Sequence, residues 1–373
     1  MKKAIAAGHC CLDVTPVIPD NGLTASQLFA PGKLTGINGV QIHTGGSCTN
    51  TGLAMKVLGA NVTLIGKVGR DEFGGLVRGI IRKHGGSDAA DHMIVSDDVD
   101  TAFTLIMAIP GVDRSFLSFP GANDAFVPED LQDEVLSEAA HFHFGYPSMM
   151  KRLYENDGEG LVRMFRHVKE LGLSTSLDTC AIDPASDAAR ADWMKIIERV
   201  LPYVDFFMPS MEELCYMMDP AHFRLWEVRA AGKELAAVFD LDTDVRPLAD
   251  RLMALGAKAV VIKCGAPGLY LRTAGKDVLS HVGPNLELDT DAWADLDFFT
   301  RSFVPEKVLS ATGAGDTCIA AFLTALLDGC GPSECTELAA ATGTSCVEAY
   351  DSLSGLRPFP ELRKKISEGW ART

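Results

Sequence analysis

The sequence lacks the motifs that mark several large groups of nucleotide-binding and metal-binding proteins. It contains no Gly-x-Gly-x-x-Gly, which excludes the dinucleotide fingerprint, and no Gly-x4-Gly-Lys-Ser/Thr, which excludes a P-loop. None of its cysteines form a Cys-x-x-Cys pair, and His141 and His143 have no further ligand nearby in sequence, so we do not expect a zinc site. No apolar run is long enough to cross a membrane.

Positive charge is also scarce. The chain has 34 Lys and Arg residues against 50 Asp and Glu, a formal net charge of −16. This balance argues against nucleic acid or an anionic membrane as a partner, although backbone amides can still bind phosphate locally. The ten cysteines show no disulfide framework spacing. We therefore expect reduced, mostly buried thiols in a cytoplasmic protein.

Strand-like and helix-like segments alternate along the chain, which predicts an α/β fold with a doubly wound, mainly parallel sheet and helices on both faces. At 373 residues, the chain is long enough for one large domain, and we expect a single domain over residues 1–373. The predicted strands are Ala4–Ala7, Val62–Ile65, His141–Phe144, Ser174–Leu177, Val204–Met208 and Ala259–Lys263. The predicted helices include Thr49–Leu58, Phe73–Lys83, Leu161–Leu171, Trp193–Leu201, Glu212–Met218, Thr317–Leu327 and Glu334–Glu348, with Asp71 as an N-cap and Gly74 as a packing residue.

Two regions break this alternation. Val14–His43 has no helical period, and Thr101–Ile109 and Ser115–Phe119 read as strands joined by a turn at Pro110–Asp113. We expect parts of 14–43 and 101–119 to form a small antiparallel β lid that covers a substrate or a partner subunit, a surface hairpin without function being the alternative. The segments 220–243 and 283–305 resemble insertions.

The segment Ser310–Asp316 is the most informative motif. Gly313, Ala314 and Gly315 precede an apolar helix, so their amides can bind an anion at the helix N-terminus. Asp316 lies beside that anion site. A carboxylate at this position suits a base that takes a proton from an alcohol while the amides stabilise a phosphoryl group in transit. Taken alone, the motif favours the simpler interpretation, a Gly-rich turn capped by an Asp.

A second constellation lies near the N-terminus. Gly45 and Gly46 permit a tight turn and close approach of a ligand, and Asn50 offers a donor and an acceptor to a sugar hydroxyl. Asp13 follows the first strand, at the edge where open α/β sheets bind ligands, and its carboxylate can accept two hydrogen bonds from a diol. A turn residue for Asp13 and a helix cap for Asn50 are the alternatives.

Two further loops are candidates for binding a nucleotide and its metal. Lys263, Gly265 and Gly268 follow an apolar strand in a loop that can wrap the nucleotide's phosphates or sugar, or that forms a plain β-turn. Ser210 precedes Glu213, which could hold Mg²⁺ through water molecules, or could simply be an acid at a solvated helix N-terminus.

These motifs, in this order, resemble the ribokinase-type sugar kinases, also called the phosphofructokinase B family. The resemblance covers most of the chain. It implies a ribokinase-like fold, ATP and Mg²⁺ as cofactors, Asp316 as catalytic base, and an anion hole at Gly313–Gly315. It also implies that Asp13 binds the sugar, that Glu213 is the acid of the family's Asn-x-x-Glu element, and that 263–268 is its ATP loop.

Two positions depart from the family pattern. Ser310 stands where relatives have an Asp that helps to bind a monovalent cation, and Ser210 stands where they have the Asn of Asn-x-x-Glu. Because the missing carboxylate removes a charge from the ion site, we expect weak or absent activation by potassium.

The sequence therefore predicts ATP-dependent phosphorylation of a hydroxyl group on a sugar-like substrate, by a homodimer formed through the β lid. Two alternatives remain. One is a nucleoside kinase of the same superfamily, with Phe103 and Phe116 as candidates to stack on the base. The other is a sugar- or nucleotide-binding regulator without catalysis, against which the intact Asp316 argues.

Overall fold

Strands and helices alternate over most of the protein. The structure is a computed structural model and describes residues 1–22, 24–111 and 115–373. Its strands, in chain order, are β1 (Ala4–Gly8), β2 (Cys11–Pro16), β3 (Val40–Gly45), β4 (Val62–Ile65), β5 (Lys67–Gly69), β6 (Ile94–Ser96), β7 (Phe103–Met107), β8 (Ser115–Phe119), β9 (His141–Gly145), β10 (Ser174–Asp178), β11 (Phe206–Phe207), β12 (Ala259–Lys263), β13 (Gly268–Thr273) and β14 (Asp297–Arg301).

The helices follow the same order. They are α1 (Ala25–Leu28), α2 (Ser47–Val57), α3 (Glu72–Gly85), α4 (Asp133–Leu136), α5 (Lys151–Glu170, interrupted at Glu155–Gly158), α6 (Trp193–Val200), α7 (Met211–Met218), α8 (Pro220–Ala230), α9 (Arg246–Ala254), α10 (Lys276–Leu279), α11 (Thr290–Trp293), α12 (Ala314–Leu327), α13 (Pro332–Cys346) and α14 (Phe359–Ser367).

The central sheet confirms the predicted doubly wound architecture. Within the described residues it has eight strands in the order β14-β13-β12-β11-β10-β9-β1-β4. Its six neighbouring strands β4, β1, β9, β10, β11 and β12 pair in parallel. At the other edge, β13 and β14 add antiparallel pairs. Parallel neighbours have their carboxyl ends at the same edge of the sheet, so the loops that follow β1, β9, β10 and β12 meet there.

Both faces of the sheet are covered by apolar residues. In β1, Ala4 and Ala6 join one core cluster while Ile5 and Ala7 join the other, as the two-residue period of a strand requires. Helix α12 packs between α2 and α13 on the first face and is buried from Asp316 to its end. A helix that is apolar on all sides belongs inside the protein, so its N-terminus is fixed by the core.

The lid forms beside this sheet. Its order is β3-β2-β7-β8, with antiparallel β2–β3 and β7–β8 pairs but a parallel β2–β7 pair. The prediction of a wholly antiparallel lid was therefore wrong, because β2 and β7 are separated by the crossover through α2 and α3 and not by a hairpin. Of the turn expected at Pro110–Asp113, Val112 and Asp113 lie outside the described residues.

One other expectation is corrected. The segment 283–305 is not a simple insertion, because β14 lies within it and extends the central sheet beside β13. The acidic residues of this segment gave no sign of a strand, although it contains an edge strand with one exposed side.

Candidate active site

The carboxyl edge of the central sheet opens into a cleft of about 890 Å³. The first turn of α12 forms one wall, and the ends of β10 and β12 form another. The cleft brings together most residues predicted for phosphate and nucleotide binding. Its lining includes Gly313, Ala314, Gly315, Asp316, Lys263, Gly265, Gly268, Ser210 and Glu213.

The glycines at the start of α12 have different structural roles. Gly313 has a φ of 76°, and a Cβ there would lie 2.5 Å from the Cβ of Ser352, so both backbone conformation and space require glycine. At Gly315 a Cβ would meet only the Lys263 side chain, at 3.7 Å or more. The Ala314 amide donates to the Ala311 carbonyl at 3.3 Å. Helix geometry leaves the amides of Gly315 and Asp316 without intrahelical acceptors, beside the cleft.

Asp316 lies in the first turn of α12 and is buried. The Asn50 Nδ2 group donates to its Oδ2 at 2.9 Å, and the Tyr146 hydroxyl donates to its Oδ1 at 2.8 Å. Burial raises the pKa of Asp316, while these two hydrogen bonds and the Lys263 ammonium act to lower it. The carboxylate is thus fixed by donors on both oxygens while it still faces the cleft.

Asn50 was predicted to bind substrate, and the structure places it beside Asp316. It lies on α2, directly after the Gly45-Gly46 turn. Its amide oxygen accepts a hydrogen bond from Ser352 Oγ at 3.1 Å, while its amide nitrogen bonds Asp316. Asn50 therefore joins the Gly45-Gly46 turn to the predicted base.

Lys263 ends β12 and forms an ion pair with Asp178, which ends β10. The Asp178 side chain is buried, and that of Lys263 is 12% exposed. Burial alone would lower the pKa of Lys263, but the carboxylates of Asp178 and Glu213 raise it above its ordinary value. Burial raises the pKa of Asp178, and Lys263 opposes that rise. Lys263 thus keeps a positive charge beside Gly315, where an anion would enter.

Glu213 faces the same cleft from the first turn of α7. Its Oε2 accepts hydrogen bonds from the Ser210 amide at 2.9 Å and from Thr179 Oγ1 at 2.8 Å, and Ser210 Oγ accepts from the Glu213 amide. This capping box holds the carboxylate at the helix start. No cluster of three or more metal-ligating side chains occurs in residues 1–22, 24–111 and 115–373. The fixed carboxylate of Glu213, facing the cleft, fits Mg²⁺ held mainly by water and phosphate oxygens.

Gly265 and Gly268 form a tight turn after β12. Gly265 has a φ of 65°, and the Gly268 amide donates to its carbonyl at 3.2 Å. A Cβ on Gly268 would lie 2.1 Å from the Thr300 carbonyl oxygen. Packing against the neighbouring strand thus requires glycine at 268, and the turn lines the cleft as well.

Asp13 lies in β2, within a polar row that crosses the lid. The registers place His43 on β3, Asp13 on β2, Thr104 on β7 and Ser118 on β8 opposite one another, hence on one face of the lid. Cys11 Sγ donates to Asp13 Oδ1 at 3.3 Å. Burial raises the pKa of Asp13 to about 6, against the opposing effects of Cys11 and His43.

Gly45 and Gly46 form the junction between lid strand β3 and α2. A Cβ on Gly45 would lie 2.3 Å from Asp13 Oδ2, and one on Gly46 would lie 2.4 Å from Nδ1 of the buried His9. The end of β3 also approaches the far side of the cleft, since His43 interacts with Asp351, next to the Ser352 that bonds Asn50. The lid face with Asp13 and the base with Asn50 are thereby linked.

Sequence reasoning missed Tyr146, Asp178 and Thr179. Each directly follows or ends a strand at the carboxyl edge of the sheet. Position at a predicted strand end was therefore the available signal for all three. Nothing in the local sequence indicated that Tyr146 would reach Asp316, which is 170 residues away.

Comparison with known proteins identifies the family. A model of the pfkB family carbohydrate kinases matches residues 1–357. The chain belongs to this family. It is 25% identical over 229 residues to probable fructokinase-3 of Arabidopsis thaliana, a match that covers 60% of this chain and 62% of that relative.

Solved structures agree on the fold of this family member. Arabidopsis thaliana ribokinase, complexed with ribose and ATP, has a TM-score of 0.69 at 18% identity and covers 97% of this chain and 98% of its own. A ribokinase II from E. coli in complex with ATP and Mg²⁺ has a TM-score of 0.68 at 17% identity, covering 99% and 100%. The ribokinase-like fold is thus confirmed. Across the described part of the chain, no helix has both the length and the apolar character of a membrane span.

Proposed function

We propose that this chain is an ATP-dependent kinase that phosphorylates a hydroxyl group of a sugar or sugar-like molecule. The observation that carries the proposal is the Asp316 carboxylate at the N-terminus of α12, held by Asn50 and Tyr146 and lying in one cleft with Lys263. Family membership and the bound ligands of the ribokinase structures support ATP and a sugar as its substrates.

The reaction follows from these positions. Ionised Asp316 accepts the proton of the substrate hydroxyl as its oxygen attacks the γ-phosphorus of ATP in line, and the bond to the β-phosphate oxygen breaks to release ADP. The free amides at the start of α12 and the Lys263 ammonium stabilise the charge on the transferring group. Since Asp316 is buried, a closed lid would keep water from competing with the acceptor.

Glu213 would hold Mg²⁺ through water molecules, and the ion would neutralise phosphate charge when bound. Ser210 contributes by fixing Glu213 through the capping box. We expect this arrangement to tolerate the absence of the family's usual Asn, because the serine hydroxyl and amide already position the carboxylate.

The polar row of the lid supports a polyhydroxylated acceptor. Asp13 and His43 offer charged or strongly polar groups, and Thr104 and Ser118 offer hydroxyls, all on the same face. Phe103, a candidate for stacking on a nucleoside base, packs against Phe73 and Phe119 at centroid distances of 5.5 and 5.7 Å. Its ring thus belongs to the lid core. Phe116, the other candidate, lies on the face of the polar row and is 57% exposed, so a nucleoside is the second candidate and the substrate panel includes nucleosides.

The test is ADP formation with D-fructose, D-ribose, other hexoses and a set of nucleosides. We predict that at least one sugar is phosphorylated and that Asp316→Asn lowers its turnover by about 100- to 10,000-fold, because an amide does not accept the proton. The matched control is Asp328→Asn, an exposed acid at the other end of α12, which should keep wild-type turnover. Near wild-type turnover in Asp316→Asn would refute the assignment of the base.

We also propose that the lid forms the interface of a homodimer. An apolar row crosses all four strands on the face opposite the polar row. It consists of Ile42, Val14, Leu105 and Leu117. Ile42 and Leu117 are 42% and 62% exposed. An exposed apolar sheet face of this kind is typical of a surface that another protein chain covers.

The oligomeric state tests this proposal. The double variant Ile42→Asp/Leu117→Asp should sediment as a monomer where the wild type sediments as a dimer, because each charge would be buried at the interface. Val228→Asp, on an exposed apolar residue of α8, is the control and should leave the mass unchanged. A monomeric wild type, or a dimeric double variant, would contradict the proposal.

A further inference from the structure

Tyr146 has an unusual backbone and one specific partner. It follows β9 with a φ of 66° and a ψ of 45°, the left-handed region that costs a non-glycine residue free energy. The backbone is held there, since its amide donates to the Asp178 carbonyl at 3.3 Å and its carbonyl accepts from the Met149 amide at 3.0 Å. The conformation directs the phenol to Asp316 Oδ1, at 2.8 Å.

A glycine would adopt this conformation without strain, so the backbone alone does not explain a tyrosine here. The ring lines the cleft, and its centroid lies 6.2 Å from that of the buried His9. The Tyr146 hydroxyl and the Asn50 amide together hold both oxygens of Asp316. Only the remaining lone pairs of the carboxylate are then available to accept a proton from the acceptor.

We propose that Tyr146 is a positioning residue for the reaction, which fixes the Asp316 carboxylate and keeps it ionised in its buried site. This inference rests on the proposed function, because it assumes that Asp316 is the base. A phenol hydroxyl donates a stronger hydrogen bond to the charged carboxylate than to the protonated acid, so it stabilises the ionised state that the base requires.

The surroundings of Asp316 make this donor necessary. Its burial opposes ionisation, and nearby carboxylates add to that effect, whereas Lys263 counters it. Burial and the adjacent carboxylates raise the pKa of Tyr146, so the phenol keeps its proton to donate. The titratable groups that interact with Asp316 are Lys263 on β12, Glu213 on α7, Asp178 on β10, Tyr146 and Cys180 in the loops after β9 and β10, and Cys346 on α13.

The decisive variant is Tyr146→Phe, which keeps the ring and removes only the hydroxyl. With the best sugar of the panel, kcat should fall by about tenfold at neutral pH while KM changes little. The acidic limb of the kcat/KM profile should move to higher pH, since Asp316 loses a donor to its ionised form. A purely structural role for the ring would lower stability without moving that limb.

Tyr270→Phe is the matched control. The Tyr270 hydroxyl donates to Asp297 Oδ1 at 2.9 Å, so the variant removes an equivalent bond, at a carboxylate on edge strand β14. Its pH profile should equal that of the wild type. An unmoved limb in Tyr146→Phe would overturn the inference, whereas activity in Asp316→Asn would overturn the proposed function instead.

A second measurement covers the case in which Tyr146→Phe fails to fold. In wild-type protein labelled at Tyr ¹³Cζ, one of the six tyrosine resonances should follow the titration of Asp316 and should lose that pH dependence in Asp316→Asn. The same six titration curves in both proteins would show that Tyr146 does not sense the charge of Asp316, and the inference would fail.

Discussion

The fold does not require glycine at position 315, and we propose that phosphate binding does. Its Cβ position is open apart from the Lys263 side chain, so Gly315→Ala should keep the stability of the wild type. We predict that it nevertheless raises KM for ATP, and that Gly315→Val lowers turnover further, because a side chain would enter the phosphate site. Steady-state kinetics and thermal unfolding, measured on both variants, separate the two effects.

Gly313→Ala, two residues earlier in the same segment, is the comparison, because there the fold itself requires glycine. A left-handed φ and the contact with Ser352 should lower its free energy of unfolding by about 1–3 kcal/mol. If Gly315→Val instead kept wild-type kinetics, the segment would be a turn without a role in phosphate binding.

Single residues also show where sequence reasoning stops. Asp316 was predictable because a carboxylate beside a Gly-rich helix start is a local pattern. Tyr146 and Asp178 act through contacts with residues far along the chain, and those contacts depend on strand order. Lys263 was predicted as part of a nucleotide loop, but its ion pair with Asp178 was not.

Among the elements, α3 illustrates how a local signal has a distant effect. Asp71 was predicted as its N-cap and Gly74 as a packing residue, and both predictions are confirmed. Asp71 accepts from the Gly74 amide, and also from the amide and hydroxyl of Thr101, each at 2.7 Å. Thr101 lies two residues before lid strand β7, so the cap also anchors the lid.

We predict that Asp71→Ala lowers the free energy of unfolding at pH 7 by about 2 kcal/mol, since three hydrogen bonds are lost. Although burial acts to raise the pKa of Asp71, these bonds lower it overall, so the difference from wild type should shrink as acid protonates the carboxylate. Asp192→Ala, which removes a cap with one bond at 3.1 Å, should cost about half as much. Equal losses in urea unfolding would contradict this account.

The prediction of helices and strands succeeded where the sequence contains long apolar runs. The strands of the parallel sheet and the apolar helix α12 were placed correctly, because their burial imposes continuous apolar runs. It failed at β14, an edge strand that begins and ends with an exposed charged residue, and at the β2–β7 pair. Strand direction within a sheet depends on the crossover between strands, and a single sequence does not specify it.

For the whole molecule, the balance of charge and burial sets the response to acid. His9 is buried, and burial lowers its pKa to about 4, whereas an exposed histidine in the unfolded chain protonates near 6.5. Between these values the unfolded state binds more protons, so the stability contributed by neutral His9 is present above pH 6.5 and is lost as pH falls.

We predict that His9→Gln makes the free energy of unfolding less dependent on pH by about 1.4 kcal/mol per pH unit between pH 4 and 6.5. Asp13, whose pKa is raised to about 6, acts in the opposite direction in wild type and variant alike, so its effect cancels in the comparison. His92→Gln changes an exposed histidine and should keep the wild-type slope. If the free energy of unfolding of His9→Gln depended on pH as steeply as that of the wild type, buried His9 would not be the source of this pH dependence.

The unequal burial of the strands determines where the molecule opens locally. Every residue of β8 is exposed, whereas every residue of β1 is buried in the central sheet. Amide hydrogens of β8 should therefore exchange with solvent deuterium through local openings, and those of β1 only when the whole chain unfolds. If a second copy covers the lid, exchange at β8 becomes faster on dilution while exchange at β1 does not, so protein concentration alone would report when the lid is covered.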